Sequence, residues 1–272
     1  MRVKNKRDLD NKDHSLEEIQ ELLLEKAKIF HRLCMENGIE YSVLGGSALG
    51  TVRHQGFIPW DDDYDVIMTR DNLEKLLANQ DKFQGFYLER YNYIYHLLKA
   101  NMTRDFAGFD IFVFDKVPSG KVKEKIKMFL IRMLQGMFHE EIHLSRYPKL
   151  GDRIKLLITF CLGKIVPISL KKKLYDRVSV IGRKDKNAKY VSFTNGLYRD
   201  LDRRYDVKIM DEIISMPFED TEVFIMAKYD TYLTEYYGDY MTPPSPEEIA
   251  RKTFKIAVNN KVTEIKGTTH NW

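Results

Sequence analysis

Apolar residues recur at Leu16, Ile19, Leu22, Leu23, Phe30 and Leu33, a spacing that predicts an amphipathic helix. Ser15-Leu16-Glu17-Glu18 opens it as a capping box, with Ser15 placed to accept from a backbone N–H and Glu18 to reach back. Asn37-Gly38 closes it, because glycine tolerates the left-handed conformation past a helix end. Residues 40–44 then predict a strand leading into Gly45-Gly46, residues 47–54 a short helix, residues 64–68 a second strand and residues 71–78 a further helix. A third strand is expected over residues 109–114 (FDIFVF), rich in aromatic and β-branched residues. Pro118-Ser119-Gly120 breaks this alternation.

From residue 121 to 180 the pattern changes to helices with Lys and Arg on one side and Met, Phe, Leu and Ile on the other. Beyond 190 it is mixed, and a polar tail follows the aromatic-rich segment YLTEYYGDYMTPPSPEE. The expected organisation is a polar N-terminal tail (1–14), a core (15–120), a basic helical region (121–190), a C-terminal part packing on the core (191–258) and a tail (259–272).

Composition narrows the class only a little. Of 272 residues, 43% are hydrophobic and 31% charged, which fits a globular protein and argues against extended disorder. The two cysteines, Cys34 and Cys161, provide neither a disulfide framework nor a thiolate cluster for metal. The N-terminus is polar and lacks the apolar core of a secretory signal, so a cytoplasmic location is expected. No uninterrupted apolar run approaches the ~20 residues needed to span a bilayer. The net charge of +4 hides an asymmetry: residues 121–177 hold 14 Lys and Arg against 5 Asp and Glu. That segment is strongly basic, and the remainder is acidic.

The most informative stretch is GGSALGTVRHQGFIPWDDDYD, residues 45–65. Four carboxylates fall within five positions, Asp61, Asp62, Asp63 and Asp65, a density that self-repulsion disfavours unless a cation or solvent screens it. The apolar run Val66-Ile67-Met68 follows directly, which places part of the cluster on a strand. Alternate strand residues face one side, so Asp63 and Asp65 project together and suit a hard divalent cation such as Mg²⁺. Gly45-Gly46-Ser47 lets backbone approach a ligand closely, and N–H groups at the start of a following helix can hold phosphate. Metal-dependent phosphoryl transfer is the chemistry this combination suggests.

A Gly-Gly/Ser turn followed about 17 residues later by carboxylate–x–carboxylate resembles the nucleotidyltransferase fold of DNA polymerase β. Asp63-Tyr64-Asp65 matches the pair, and Asp110 in Phe109-Asp110-Ile111 matches the third carboxylate expected on a neighbouring strand. The resemblance sharpens to the LicD family of phosphocholine transferases, which includes the fukutin-related proteins. It rests on the Gly-Gly turn, Arg53-His54 and Ile58-Pro59-Trp60-Asp61 in this order, then Leu98-Lys99-Ala100, Phe109-Asp110-Ile111-Phe112, residues 236–241 (YYGDYM) and Pro243-Pro244. The matches span most of residues 15–250, with the middle least similar.

This resemblance implies an α/β (α+β) fold, a nucleotidyltransferase-like mixed sheet flanked by helices, with an appended helical region. It implies a phosphotransferase that moves phosphocholine, or a similar phospho-alcohol, from CDP-choline or another CDP-alcohol to a lipid-linked bacterial surface glycan, a teichoic acid or lipopolysaccharide precursor. Asp63, Asp65 and Asp110 would hold Mg²⁺ (or Mn²⁺), and Asp110 is a candidate to accept the hydroxyl proton. Gly45, Gly46, Ser47 and Arg53 would hold phosphates, Arg53 through two parallel hydrogen bonds. His54 is either a ligand contact or a structural hydrogen-bonder. Lys99 matches a family lysine suited to neutralising phosphate, Trp60 and Phe57 would wall the pocket, and Asp61 and Asp62 would order the loop around the metal ligands.

Other readings stay open. A nucleotidyltransferase releasing pyrophosphate would use the same residues, and a non-catalytic binding module could keep the fold. His139-Glu140-Glu141-Ile142-His143 satisfies the H-E-x-x-H zinc pattern, which requires a helix to bring both imidazoles to one face. The basic, apolar-interleaved residues 121–173 suit peripheral contact with an anionic membrane at its inner face. No nucleic-acid-binding module accompanies the positive charge.

Overall fold

The computed structural model describes residues 14–102, 105–142, 149–196 and 198–245, and the two strands of a terminal hairpin. In chain order the helices are α1 (Leu16–Glu36), α2 (Gly45–His54), α3 (Arg70–Ala78), α4 (Lys121–Met137), α5 (Leu150–Ile165), α6 (Ile168–Ser179) and α7 (Tyr229–Tyr237). The strands are β1 (Ser42–Val43), β2 (Asp63–Thr69), β3 (Phe86–Tyr91), β4 (Ile94–Lys99), β5 (Gly108–Val117), β6 (Tyr190–Phe193), β7 (Tyr205–Asp206), β8 (Ile213–Phe218), β9 (Thr221–Met226), β10 (Phe254–Val258) and β11 (Lys261–Ile265). The expected α+β fold, a mixed sheet flanked by helices, is what the chain adopts. It divides into two units: residues 1–89, 95–112 and 208–272 form one, and residues 90–94 and 113–207 the other.

The first unit carries the acidic stretch. β1 pairs antiparallel with β2 (Ser42 opposite Ile67), β2 neighbours β5, and β4 pairs antiparallel with β5, setting His96 opposite Asp110. α1 begins with the expected capping box, Ser15 N donating to Glu18 Oε2 at 2.9 Å and Glu18 N to Ser15 Oγ at 3.2 Å. Its apolar face buries Ile19, Leu23 and Phe30 completely. Phe30 meets Phe109 at 5.1 Å between ring centroids, and Phe109 in turn meets Tyr64 at 5.0 Å. Each fully buried side chain of this size contributes about 1.5–3 kcal/mol. A charged pair shares that core: Lys26 Nζ donates to Asp105 Oδ1 at 2.7 Å and to the Ala107 carbonyl at 2.6 Å. This pair joins α1 to the start of β5, and removing either partner alone would leave a buried charge uncompensated.

Two local expectations need correction. The strand expected over 40–44 is paired only at Ser42–Val43, because Leu44 already turns into the start of α2 while its N–H donates to the Asp65 carbonyl at 2.9 Å. The β3–β4 hairpin was not expected at all. Its turn is Asn92-Tyr93, with Asn92 at φ 53°, and lacks the glycine that announces tight hairpins.

The second unit contains the second half of β5, where Phe114 pairs with Phe193 of β6, and the helices α4, α5 and α6. Ile131, Leu134, Phe138, Tyr175, Val178 and Leu201 form its core. α4 and α5 meet through glycine: a Cβ on Gly136 would stand 2.2 Å from Thr159 Oγ1, and one on Gly163 would stand 2.1 Å from the Met137 carbonyl oxygen. α4 stops at Met137, so His139 to Ile142 are not helical, and His143 lies outside the described residues. The helical frame that H-E-x-x-H zinc binding requires is missing from this part of the motif.

Candidate active site

Residues 63–65 follow the strand alternation that the sequence requires. Tyr64 is fully buried, packing on Phe109, Phe57 and Phe218, whereas Asp63 is exposed and Asp65 partly buried on the other face. Phe109 is likewise buried and its neighbour Asp110 is not. Because Tyr64 and Phe109 meet on one face of neighbouring strands, the residues flanking them project from the opposite face. Asp63 and Asp65 from β2 and Asp110 from β5 therefore share one face of the sheet. Phe57 belongs to the apolar face, with its ring 4.9 Å from Phe218, and so does not wall the acidic side as expected.

The glycine turn lies against these acids. Gly45 has φ +56°, a conformation side chains rarely adopt, and a Cβ there would lie 3.5 Å from Asp65 Oδ2. At Gly46 a Cβ would stand 2.4 Å from Asp61 Oδ2, so only glycine lets the Asp61 carboxylate approach the backbone. α2 starts at Gly45 with Leu44 as its N-cap, whose apolar side chain cannot accept from the first amides. The first amides of such a helix point outward with the positive end of the helix dipole behind them. Ser47 Oγ accepts from Asp65 N at 2.9 Å, locking turn and strand together.

The crowding of acids is felt. Burial first, then the charges of Asp63 and Asp62, hold the Asp61 carboxyl well above the usual aspartate range. Burial also raises Asp62. Asp61 is thus no remote support of the loop; its carboxylate lies at Gly46, and its carbonyl accepts from Gln20 at 2.9 Å. Among the described residues no three His, Cys, Asp or Glu side chains are gathered so as to hold a metal ion as they stand. What fits a hard divalent cation is the chemistry of the donors: oxygens only, on one sheet face, with a mutual repulsion that a cation would relieve.

The remaining expected residues are placed as follows. Arg53, partly buried near the end of α2, donates from Nη1 to the Tyr240 carbonyl at 2.9 Å and from Nε to His54 Nε2 at 3.0 Å. Burial and the neighbouring guanidinium lower the pKa of His54, consistent with a neutral, accepting imidazole. Trp60 is partly buried in the loop between α2 and β2. Lys99 is paired with Glu25 of α1 at 2.5 Å, so a role toward phosphate would require that pair to open.

Three residues belong to this region that sequence reasoning did not single out. His96 Nδ1 donates to Asp110 Oδ1 at 2.7 Å from the facing strand β4. Tyr232 of α7 accepts from Gly45 N through its hydroxyl at 3.1 Å. Tyr237, at the end of α7, has its hydroxyl 3.8 Å from a Cβ position on Gly45, and burial together with Tyr236, Asp61, Asp65 and Asp63 raises its pKa well above normal. It therefore remains a neutral O–H donor facing three carboxylates. The similarity at residues 236–241 was the available signal for Tyr237; Tyr232 lies outside it, and His96 had none.

Residues 38–144 match the family described as LicD/FKTN/FKRP, nucleotidyltransferase domain. The chain is 27% identical over 256 residues to the lipopolysaccharide cholinephosphotransferase LicD of Haemophilus influenzae, covering 86% of this chain and 94% of that protein. Shorter matches of 36% and 35% identity link it to proteins of Rickettsia typhi and Rickettsia prowazekii, over 35% of this chain and 29% and 34% of theirs. The glycine turn, the paired carboxylates and the third acid on the adjacent strand all fall within the matched domain, so the chain is similar to the LicD family across the whole candidate site.

Proposed function

We propose that this protein is a phosphotransferase that moves phosphocholine, or a similar phospho-alcohol, from a CDP-linked donor to a sugar hydroxyl of a bacterial surface glycan, releasing CMP. The observation that carries the reading is the shared sheet face of Asp63, Asp65 and Asp110 beside the start of α2, whose N-cap Leu44 offers no side-chain acceptor. The end-to-end similarity to a lipopolysaccharide cholinephosphotransferase supports the substrate class. Lipopolysaccharide precursors and teichoic acids present the same kind of hydroxyl, and both are acceptors to test.

Asp63, Asp65 and Asp110 are the residues that would hold Mg²⁺ or Mn²⁺. Such an ion, when bound, offsets the charge of a diphosphate and of the departing nucleotide. The outward amides of Gly46 and Ser47 bind a phosphate oxygen, aided by the α2 dipole. Arg53, within electrostatic reach of Tyr237, would add a guanidinium toward the phosphates, and the neutral Tyr237 hydroxyl is available as a donor near the carboxylates. Asp110 accepts the proton of the attacking hydroxyl, oriented by His96. A CDP-linked donor would be met in the cytoplasm, which is the location this reading assigns; separately, no described helix is long and apolar enough to cross a membrane.

The test is incubation with Mg²⁺, an acceptor glycan and a panel of CDP-alcohols. CMP release with phosphocholine on the acceptor is the expected result. Pyrophosphate release from a nucleoside triphosphate would instead establish the nucleotidyltransferase that the family description names.

A further inference from the structure

In the second unit, the face of α5 turned away from its neighbours is apolar throughout. Leu156, Thr159 and Gly163 bury the inner face, with Gly163 against the Met137 backbone. Leu150, Ile154, Leu157, Ile158, Leu162 and Ile165 lie exposed, at steps of three and four residues along the whole helix. At 1.5 Å per residue this stripe runs about 24 Å. Leu150 and Ile165 at its two ends are 71% and 79% exposed, so no described residue of the unit covers them. α4 repeats the pattern with Val122, Ile126 and Phe129 exposed at steps of four and three. Of the fifteen large hydrophobic residues exposed on the described chain, eleven lie between residues 122 and 170. A concentration of this kind marks an interaction surface.

The charges around the stripe select the partner. Lys121, Lys123 and Lys125 on α4, and Lys149 and Lys155 at α5, are exposed beside it. The segment 121–177 holds nine more basic than acidic residues. A two-fold dimer through this face would set the same basic surface against itself, because such an interface uses one patch on both subunits. An anionic bilayer reverses the sign: lysine stems lie along the apolar boundary while their ammonium groups reach the phosphates.

We infer that the outer face of α4 and α5 lies in the surface of an anionic membrane, with the α5 stripe inserted at the headgroup–acyl boundary. This holds apart from the catalytic reading, since vesicle binding is measured without turnover.

Cys161 sits on this exposed face between Leu157 and Ile165, whereas Cys34 is buried, so a polarity-sensitive dye can be placed at the stripe alone. The full chain should sediment with vesicles containing phosphatidylglycerol at low salt and be released at high salt. It should bind pure phosphatidylcholine weakly, and the dye at Cys161 should shift to the blue on the anionic vesicles. Ile154→Asp/Leu157→Asp, at positions about half exposed and therefore compatible with folding, should lower anionic vesicle binding by about tenfold or more. Lys121→Glu/Lys125→Glu should do the same through charge, each lysine near the surface being worth about fivefold. A chain that stays in the supernatant at low salt overturns the inference. So does vesicle binding that neither double variant weakens, which would put the contact elsewhere. A vesicle-free dimer that Ile154→Asp/Leu157→Asp converts to monomer would make the face a self-interface instead.

Discussion

His96 Nδ1 and Asp110 Oδ1 stand 2.7 Å apart as directly opposed residues of β4 and β5, so the third acid of the site is held by a histidine that is almost wholly buried. The His96 Nε2 is buried without a hydrogen-bond partner among the described residues, which leaves Asp110 as the contact that sets the ring. The pair orients the carboxylate before any ligand arrives. His96→Leu should raise the Mg²⁺ concentration needed for half-maximal turnover, or lower kcat, by about 10–100-fold. His96→Asn, whose side-chain amide can replace Nδ1–H, should recover most of that loss. A role in stability alone would change Tm while leaving the Mg²⁺ dependence in place.

Asp63→Asn and Asp65→Asn should each reduce CMP release from CDP-choline by about a thousandfold or more, since each removes an oxygen donor at the charge the reaction develops. Both positions are at least partly solvent-accessible, so circular dichroism and Tm should stay close to the parent. Near-parental turnover in either variant would remove β2 from the chemistry.

Arg53 joins two tasks, because its Nη1 already donates to the Tyr240 carbonyl. Arg53→Lys keeps the charge but loses the planar fork. The expected loss in kcat/KM for the CDP donor corresponds to about 1.5–3 kcal/mol, with a fall in Tm of a few degrees from the broken link to Tyr240. Steady-state kinetics and thermal melts separate the two; unchanged kinetics with a lowered Tm would make Arg53 a tether only.

The two glycines should fail in different ways. Gly46→Ala meets only the mobile end of Asp61, 2.4 Å from the new Cβ, so the carboxylate should swing aside with little change in Tm while turnover drops. Gly45→Ala forces a side chain onto φ +56° and should cost about 1–2 kcal/mol of stability. Full activity in Gly46→Ala would show that the approach of Asp61 to the turn has no part in the reaction.

His31 of α1 is buried against Tyr41 and Phe224, its Nδ1 3.0 Å from the Tyr41 hydroxyl. Burial lowers its pKa, and the charge of Glu222 opposes this only in part. The unfolded chain then binds the proton more readily than the folded one between the lowered value and 6.5. Stability contributed by neutral His31 is present above pH 6.5 and lost as the pH falls through that window. His31→Gln should flatten the decline of Tm between pH 7 and pH 5, and an unchanged slope would count against it.

Much of the site was legible because its signals are local. The capping box at Ser15, the turn at Gly45-Gly46 and the alternation of Asp63, Tyr64 and Asp65 depend on neighbours a few positions away, and the fold realises all three. The similarity over residues 45–65 then supplied the chemical class. The H-E-x-x-H pattern was equally legible and misleading, because helix α4 ends at Met137 before the motif begins.

What the chain order could not disclose are the partners that arrive from afar. Tyr232 reaches the Gly45 amide from 187 positions away, and His96 meets Asp110 only once β4 and β5 have paired. Strand pairing and the docking of α7 are decided by which apolar faces bury one another, and no local periodicity encodes that choice. The same holds for α5. Its sequence shows residues of both kinds, but only packing through Gly163 onto α4 determines that Leu150, Leu157 and Ile165 are turned outward. Residue type and spacing determined which atoms could do chemistry; burial of the remaining surface determined which of them meet.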